Sequence, residues 1–132
     1  MPTDTEMITT SDSRRASVLR CLCLLLAAAV VFQLFYLGSQ QFAPGLVPAP
    51  WDKLAHLTVY SAITALLWIG TGGIMPVLVI VAVIAIGALD ELHQAGVPGR
   101  HAAIDDLLVD ICAGVGTGIA MFLHARVRRR HL

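Results

Sequence analysis

Four apolar runs, at residues 21–37, 54–69, 74–89 and 107–123, take up half of the chain and leave only short connectors between them. Each approaches the ~20 residues that cross about 30 Å of hydrocarbon as a helix, and each is too long for an ordinary strand. The β-branched content of 74–89 would suggest a strand in water. In a bilayer every backbone polar group must be satisfied inside its own segment, so a helix is expected there too. The expected fold is therefore all-α, an integral membrane bundle of four transmembrane helices. Composition agrees: 57% of the 132 residues are hydrophobic and 14% charged, against roughly 45–50% and about 25% in soluble domains. The length suits one domain, too short for a membrane bundle plus a separate catalytic unit. Any chemistry has to come from the spans and their connectors.

The connectors carry the breaks. Pro44, Pro48 and Pro50 prevent helix continuation between the first two runs, Thr71-Gly72-Gly73 is a tight turn, and Pro98-Gly99 divides the last connector. Residues 1–17, rich in Thr, Ser and Asp, read as a disordered tail, residues 18–124 as the membrane domain and 125–132 as a basic tail. Arg14, Arg15 and Arg20 before the first run give the order of an export signal, and Ser13-Arg14-Arg15 is weakly similar to a twin-arginine signal. The run exceeds the roughly 7–15 residues of a signal core, which favours an uncleaved first span. Seven of the nine basic residues, Arg14, Arg15, Arg20, Arg126, Arg128, Arg129 and Arg130, flank the outer edges of the first and last spans. The positive-inside rule then places both termini in the cytoplasm of a multi-pass inner-membrane protein, as an even number of spans requires. The connectors at 39–53 and 90–106 face outward, with Trp51 as an interfacial anchor.

That orientation gathers the polar residues at one end. Asp52, Lys53, His56 and Tyr60 open the second span; Asp90, Glu91, His93 and Gln94 close the third; Arg100, His101, Asp105, Asp106 and Asp110 lead into the fourth. On a helix, Asp52, His56 and Tyr60 form one stripe about 12 Å long. Glu91 shares a face with Gln94, and Asp106 with Asp110. Three helix ends can thus converge on one pocket. Interfacial decoration suffices for Asp90, Asp105 and His101, which sit where any connector is polar. His56, Tyr60 and Asp110 lie inside apolar runs, where ionisable groups are costly unless paired or hydrated. The candidate cluster is therefore Asp52, Lys53, His56, Tyr60, Glu91, Gln94, Arg100, Asp106 and Asp110. Its end of the molecule carries a net charge of about −4 with histidine neutral. Arg100 is expected to clamp Glu91 or Asp106 bidentately. The acid surplus permits a metal on His56, Glu91, His93 and Asp106, but no HExxH or comparable spacing occurs, so neither metal nor cofactor is assigned.

Other features point to packing. Gly114 and Gly118 form a G-x-x-x-G frame, suited to close approach within the bundle or, alternatively, to a homodimer or another membrane partner. Cys21, Cys23 and Cys112 lie in apolar runs and behave as small hydrophobes, and i, i+2 spacing splits the first two across the helix. Nine basic and nine acidic residues cancel, which excludes the broad basic surface that nucleic acid needs.

The ordered set Asp52-Lys53-x-x-His56-x-x-x-Tyr60, Glu91-x-x-Gln94, Pro98-Gly99-Arg100 and Asp106-x-x-x-Asp110 resembles the VanZ-like membrane proteins over roughly residues 50–120. The resemblance implies a small multi-span protein of the bacterial cell envelope, with teicoplanin-type glycopeptide resistance attached to some members. It implies no established molecular activity.

Three readings stay open. One is a non-enzymatic envelope protein that binds a lipid-linked or surface-exposed ligand at the outer polar pocket, favoured by the absence of a nucleophile motif beside it. Another is an outer-leaflet enzyme with His56 or Glu91 as general base and Arg100 stabilising phosphate or carboxylate charge. The third is an accessory subunit of a larger membrane complex. Alternating-access transport is disfavoured, since the four spans show no repeat symmetry.

Overall fold

The computed structural model describes residues 4–40, 47–48, 50–98 and 103–130. These form α1 (Asp4–Gly38), α2 (Trp51–Gly70), α3 (Pro76–Ala95) and α4 (Ile104–Arg130), with no strand among the described residues. All four helices are long and apolar enough to cross a membrane. The molecule is a multi-pass membrane protein of the four-helix kind. Only 11% of the spanning window of α1 and 28% of that of α2 is buried in the bundle, so side chains such as Leu25, Phe32, Val77 and Leu92 stand exposed on its flanks. A patch of that extent is unstable in water and natural in lipid.

Two helices run further than the apolar runs indicate. α1 begins at Asp4, so residues expected to be a disordered tail continue the first helix, and α4 carries on through the basic tail to Arg130. Extending a formed helix fixes one residue per new hydrogen bond, whereas starting one demands a costly nucleus. Ser, Thr and Asp oppose extension by only tenths of a kcal/mol each, and Arg128, Arg129 and Arg130 suit the negative end of α4.

α2 and α3 form the centre, each touching the other, α1 and α4, while α1 and α4 do not meet among the described residues. The buried residues recur at three- and four-residue intervals: Tyr60, Ile63 and Thr64 on α2, Val79, Val83, Gly87, Asp90, Glu91 and Gln94 on α3, Asp110, Ala113, Gly114 and Gly118 on α4. Tyr60, Ile63, Val83 and Ala113 make the apolar core. A Cβ on Gly114 would lie 2.9 Å from Val83 Cγ1, and one on Gly118 would lie 3.0 Å from Ile80 Cδ1. The G-x-x-x-G frame thus seats α4 on α3 of its own chain, the within-bundle alternative. All three cysteines are free.

The turn between α2 and α3 is fixed by hydrogen bonds and handedness. Gly73 N–H donates to the Trp68 carbonyl and Gly72 N–H to that of Ile69, both at 2.9 Å, the pattern of a Schellman cap. Gly72 and Gly73 adopt φ of 67° and 69°, and a Cβ on Gly73 would meet Trp68 Nε1 at 2.9 Å. Gly73→Ala is expected to cost about 1–2 kcal/mol from the left-handed backbone alone, read as a lowered midpoint of unfolding in detergent. Pro76, in the first turn of α3, restarts the helix where a missing N–H is harmless.

Candidate functional site

The end of the bundle that carries the long connectors is where α2, α3 and the start of α4 bring their polar residues together. A pair buried inside the bundle sets its geometry. His56 on α2 and Asp110 on α4 meet with Nδ1 and Oδ1 3.0 Å apart, the carboxylate fully buried and the imidazole mostly so. One turn along α2, the Tyr60 ring stacks parallel to His56 at 6.1 Å and fixes the plane of the imidazole. Gly87 makes room on the α3 side, since a Cβ there would lie 3.2 Å from both Cβ and Oδ2 of Asp110.

Asp90 and Glu91 stand side by side on α3 with different tasks. Asp90 is fully buried, and its Oδ2 accepts from Gln94 Nε2 at 2.9 Å and from the Tyr60 hydroxyl at 3.4 Å. Glu91 Oε2 accepts the backbone N–H of Ala103 at 2.7 Å, while the Ala103 carbonyl receives the N–H groups of Asp106 and Leu107. One carboxylate thereby anchors the first turn of α4, where an acceptor for an orphan N–H is needed. The remaining oxygens, Asp90 Oδ1, Glu91 Oε1 and Asp110 Oδ2, are buried and have no hydrogen-bond partner among the described residues. Such unmatched acceptors are rare inside a protein.

Closer to solvent, Lys53 reaches across from α2 to α4. Its Nζ contacts Asp105 and lies 3.1 Å from Asp106 Oδ1. The single charge of Lys53 is shared between these two outer acids and offsets one of them. Among the described residues, no lysine or arginine pairs with Asp90, Glu91 or Asp110.

A family model described as VanZ/LLP1 matches residues 9–126. The chain belongs to the VanZ/LLP1 family. No curated protein and no solved structure matches it.

Within this VanZ/LLP1 bundle the expected cluster is assembled in part. His56, Tyr60, Glu91, Gln94 and Asp110 come together as the helical arithmetic anticipates, and Lys53 and Asp106 pair at their rim. Asp52 turns to its own helix start, its Oδ1 accepting the Lys53 N–H at 2.9 Å. Arg100, His101 and Gly99 lie outside the described residues, as does Pro44; the partners proposed for Arg100 have other donors, Ala103 N–H on Glu91 and Lys53 on Asp106. His93 faces α1, its ring 5.4 Å from that of Phe35. Asp90 is the residue that sequence reasoning passed over. Its signal was the spacing Val79, Val83, Gly87, Asp90, Gln94, which keeps it on the inner stripe of α3 past the end of the apolar run.

Proposed function

We propose that this VanZ-family protein resides in the bacterial cytoplasmic membrane with its connector end outward, and that the polar cluster there binds a lipid-linked or glycopeptide-type ligand of the cell envelope, with a link to teicoplanin-type resistance. One observation carries the reading: among the described residues, Asp90, Glu91 and Asp110 hold buried acceptor oxygens without donors at the end of the bundle. A ligand rich in amide, hydroxyl or ammonium donors would supply them, and recognition by buried acceptors is selective because a ligand lacking the donor leaves them unmatched. The arginines at the opposite end of α1 and α4 support the outward orientation through the positive-inside rule.

A second reading has its own support. The His56–Asp110 contact holds an imidazole by a buried carboxylate, the arrangement that orients a general base. Under it, the cluster would act on a phosphate or ester of an outer-leaflet lipid.

The test is a titration of purified protein in nanodiscs with teicoplanin, vancomycin and a lipid-linked cell-wall precursor, for wild type and Glu91→Gln. Saturable binding of one of them, weakened at least about tenfold in Glu91→Gln, is the expected result. Absence of saturable binding by any of the three overturns the ligand reading. Release of phosphate during the titration, lost in Glu91→Gln, would favour the enzymatic reading over simple binding.

A further inference from the structure

The three helices that build the cluster bring one nitrogen and two carboxylate donors to a common point. Ligand atoms of His56 on α2, Glu91 on α3 and Asp110 on α4 all lie within 4.8 Å of one another. Acidic clusters on a surface are commonplace, but this one is not on the surface: Glu91 is 5% exposed and Asp110 0%. Each of the two carboxylates has one buried oxygen without a hydrogen-bond partner among the described residues. Lys53 is engaged with Asp105 and Asp106 at the rim, so it does not serve the inner acids.

From this we infer that His56, Glu91 and Asp110 are the protein ligands of a single divalent transition-metal ion of the zinc class. Charge favours it, because two carboxylates and a neutral imidazole around a divalent cation sum to zero, the arrangement that costs least in a low-dielectric interior. The imidazole selects the metal, since calcium and magnesium sites are built from oxygen. In a tetrahedral zinc site with bonds of about 2.1 Å the donors stand about 3.4 Å apart, so the three side chains need to draw in by about an ångström as the ion enters. The supports for such a site are already present. Glu91 is held through its other oxygen by Ala103 N–H, and His56 by its stack on Tyr60, the outer contacts that orient metal ligands. Three protein ligands leave a coordination position open, as in zinc sites that bind substrate or water.

Linear spacing could not reveal this set. Residues 56, 91 and 110 have no fixed separation, and of the four donors that the acid surplus first suggests, His93 faces Phe35 and Asp106 faces Lys53. The metal goes beyond the ligand reading and does not depend on it. With the ion in place, Asp90 Oδ1 and the open coordination position remain for a ligand.

Zn²⁺ alone tests the proposal. Full-length protein in detergent is stripped with a chelator, equilibrated with Zn²⁺ and analysed for bound metal, with His56→Ala, Glu91→Gln and Asp105→Asn alongside. Stoichiometric zinc in the wild type and in Asp105→Asn, and affinity lowered more than about 100-fold in the other two, is the expected result. Equal zinc in all four proteins, or none in any, overturns it. Substitution with Co²⁺ decides without any variant: visible bands of a low-symmetry, protein-bound ion support the site, and the spectrum of aqueous cobalt overturns it. Zinc bound without any glycopeptide or lipid binding removes the proposed ligand and keeps the metal, and the converse removes the metal alone.

Discussion

Substituting His56 with leucine is expected to destabilise the bundle by about 3 kcal/mol in chelator-treated protein, measured by reversible unfolding in mixed detergent. The change keeps the side-chain volume but leaves Asp110 fully buried with neither oxygen bonded, since Oδ2 already lacks a partner. Removing one member of a buried ionic pair costs about 3–5 kcal/mol, mainly because the survivor is uncompensated. Neutral hydrogen bonds between membrane helices average only about 0.6 kcal/mol. The size of the loss therefore reports which kind of contact this is. Adding Asp110→Asn to His56→Leu removes the stranded charge and is expected to recover more than half of the loss. A loss below about 1 kcal/mol, unaffected by the second change, would show that the pair acts as an ordinary hydrogen bond.

The second large effect is steric. Gly114→Leu is expected to cost about 3 kcal/mol or more, because its Cβ alone would come within 2.9 Å of Val83 Cγ1 and the branch would enter the space of Thr64. Gly116, two residues further on the same helix, has nothing within 4 Å of where a Cβ would stand and points away from the bundle. Gly116→Leu is accordingly expected to change stability by less than about 1 kcal/mol, with improved helix propensity offsetting any loss. Since Gly114 lies one turn beyond Asp110, the same substitution should also separate His56 from Asp110 and abolish zinc uptake. Equal midpoints for the two leucine variants would mean that α4 does not pack on α3 through this face.

What could be read in advance follows from which forces are local. Span length follows from the apolar runs, the turn from the left-handed backbone that Gly72 and Gly73 allow, and the inner faces of His56, Tyr60, Glu91, Gln94 and Asp110 from helical periodicity, all properties of neighbouring residues. Asp90 escaped because hydropathy marks the end of an apolar run, whereas the helix and its inner stripe continue to Ala95. The helical course of residues 4–17 escaped for a related reason. Composition judges a polar segment by what it would do alone, and here an adjoining helix supplies the nucleus. The sharing of roles among the acids, with Asp105 and Asp106 at the rim and Asp110 within, depends on where Lys53 lands from another helix. No spacing encodes that.

The sharing of the site among α2, α3 and α4 has a consequence for biogenesis. His56 on α2 and Glu91 on α3 precede Asp110 in the chain, so until α4 packs against them the His56–Asp110 contact and the Ala103 donor to Glu91 are both missing. The site is complete only once α4 has joined α2 and α3. A chain arrested before α4 would leave His56 without Asp110 and Glu91 without its Ala103 donor.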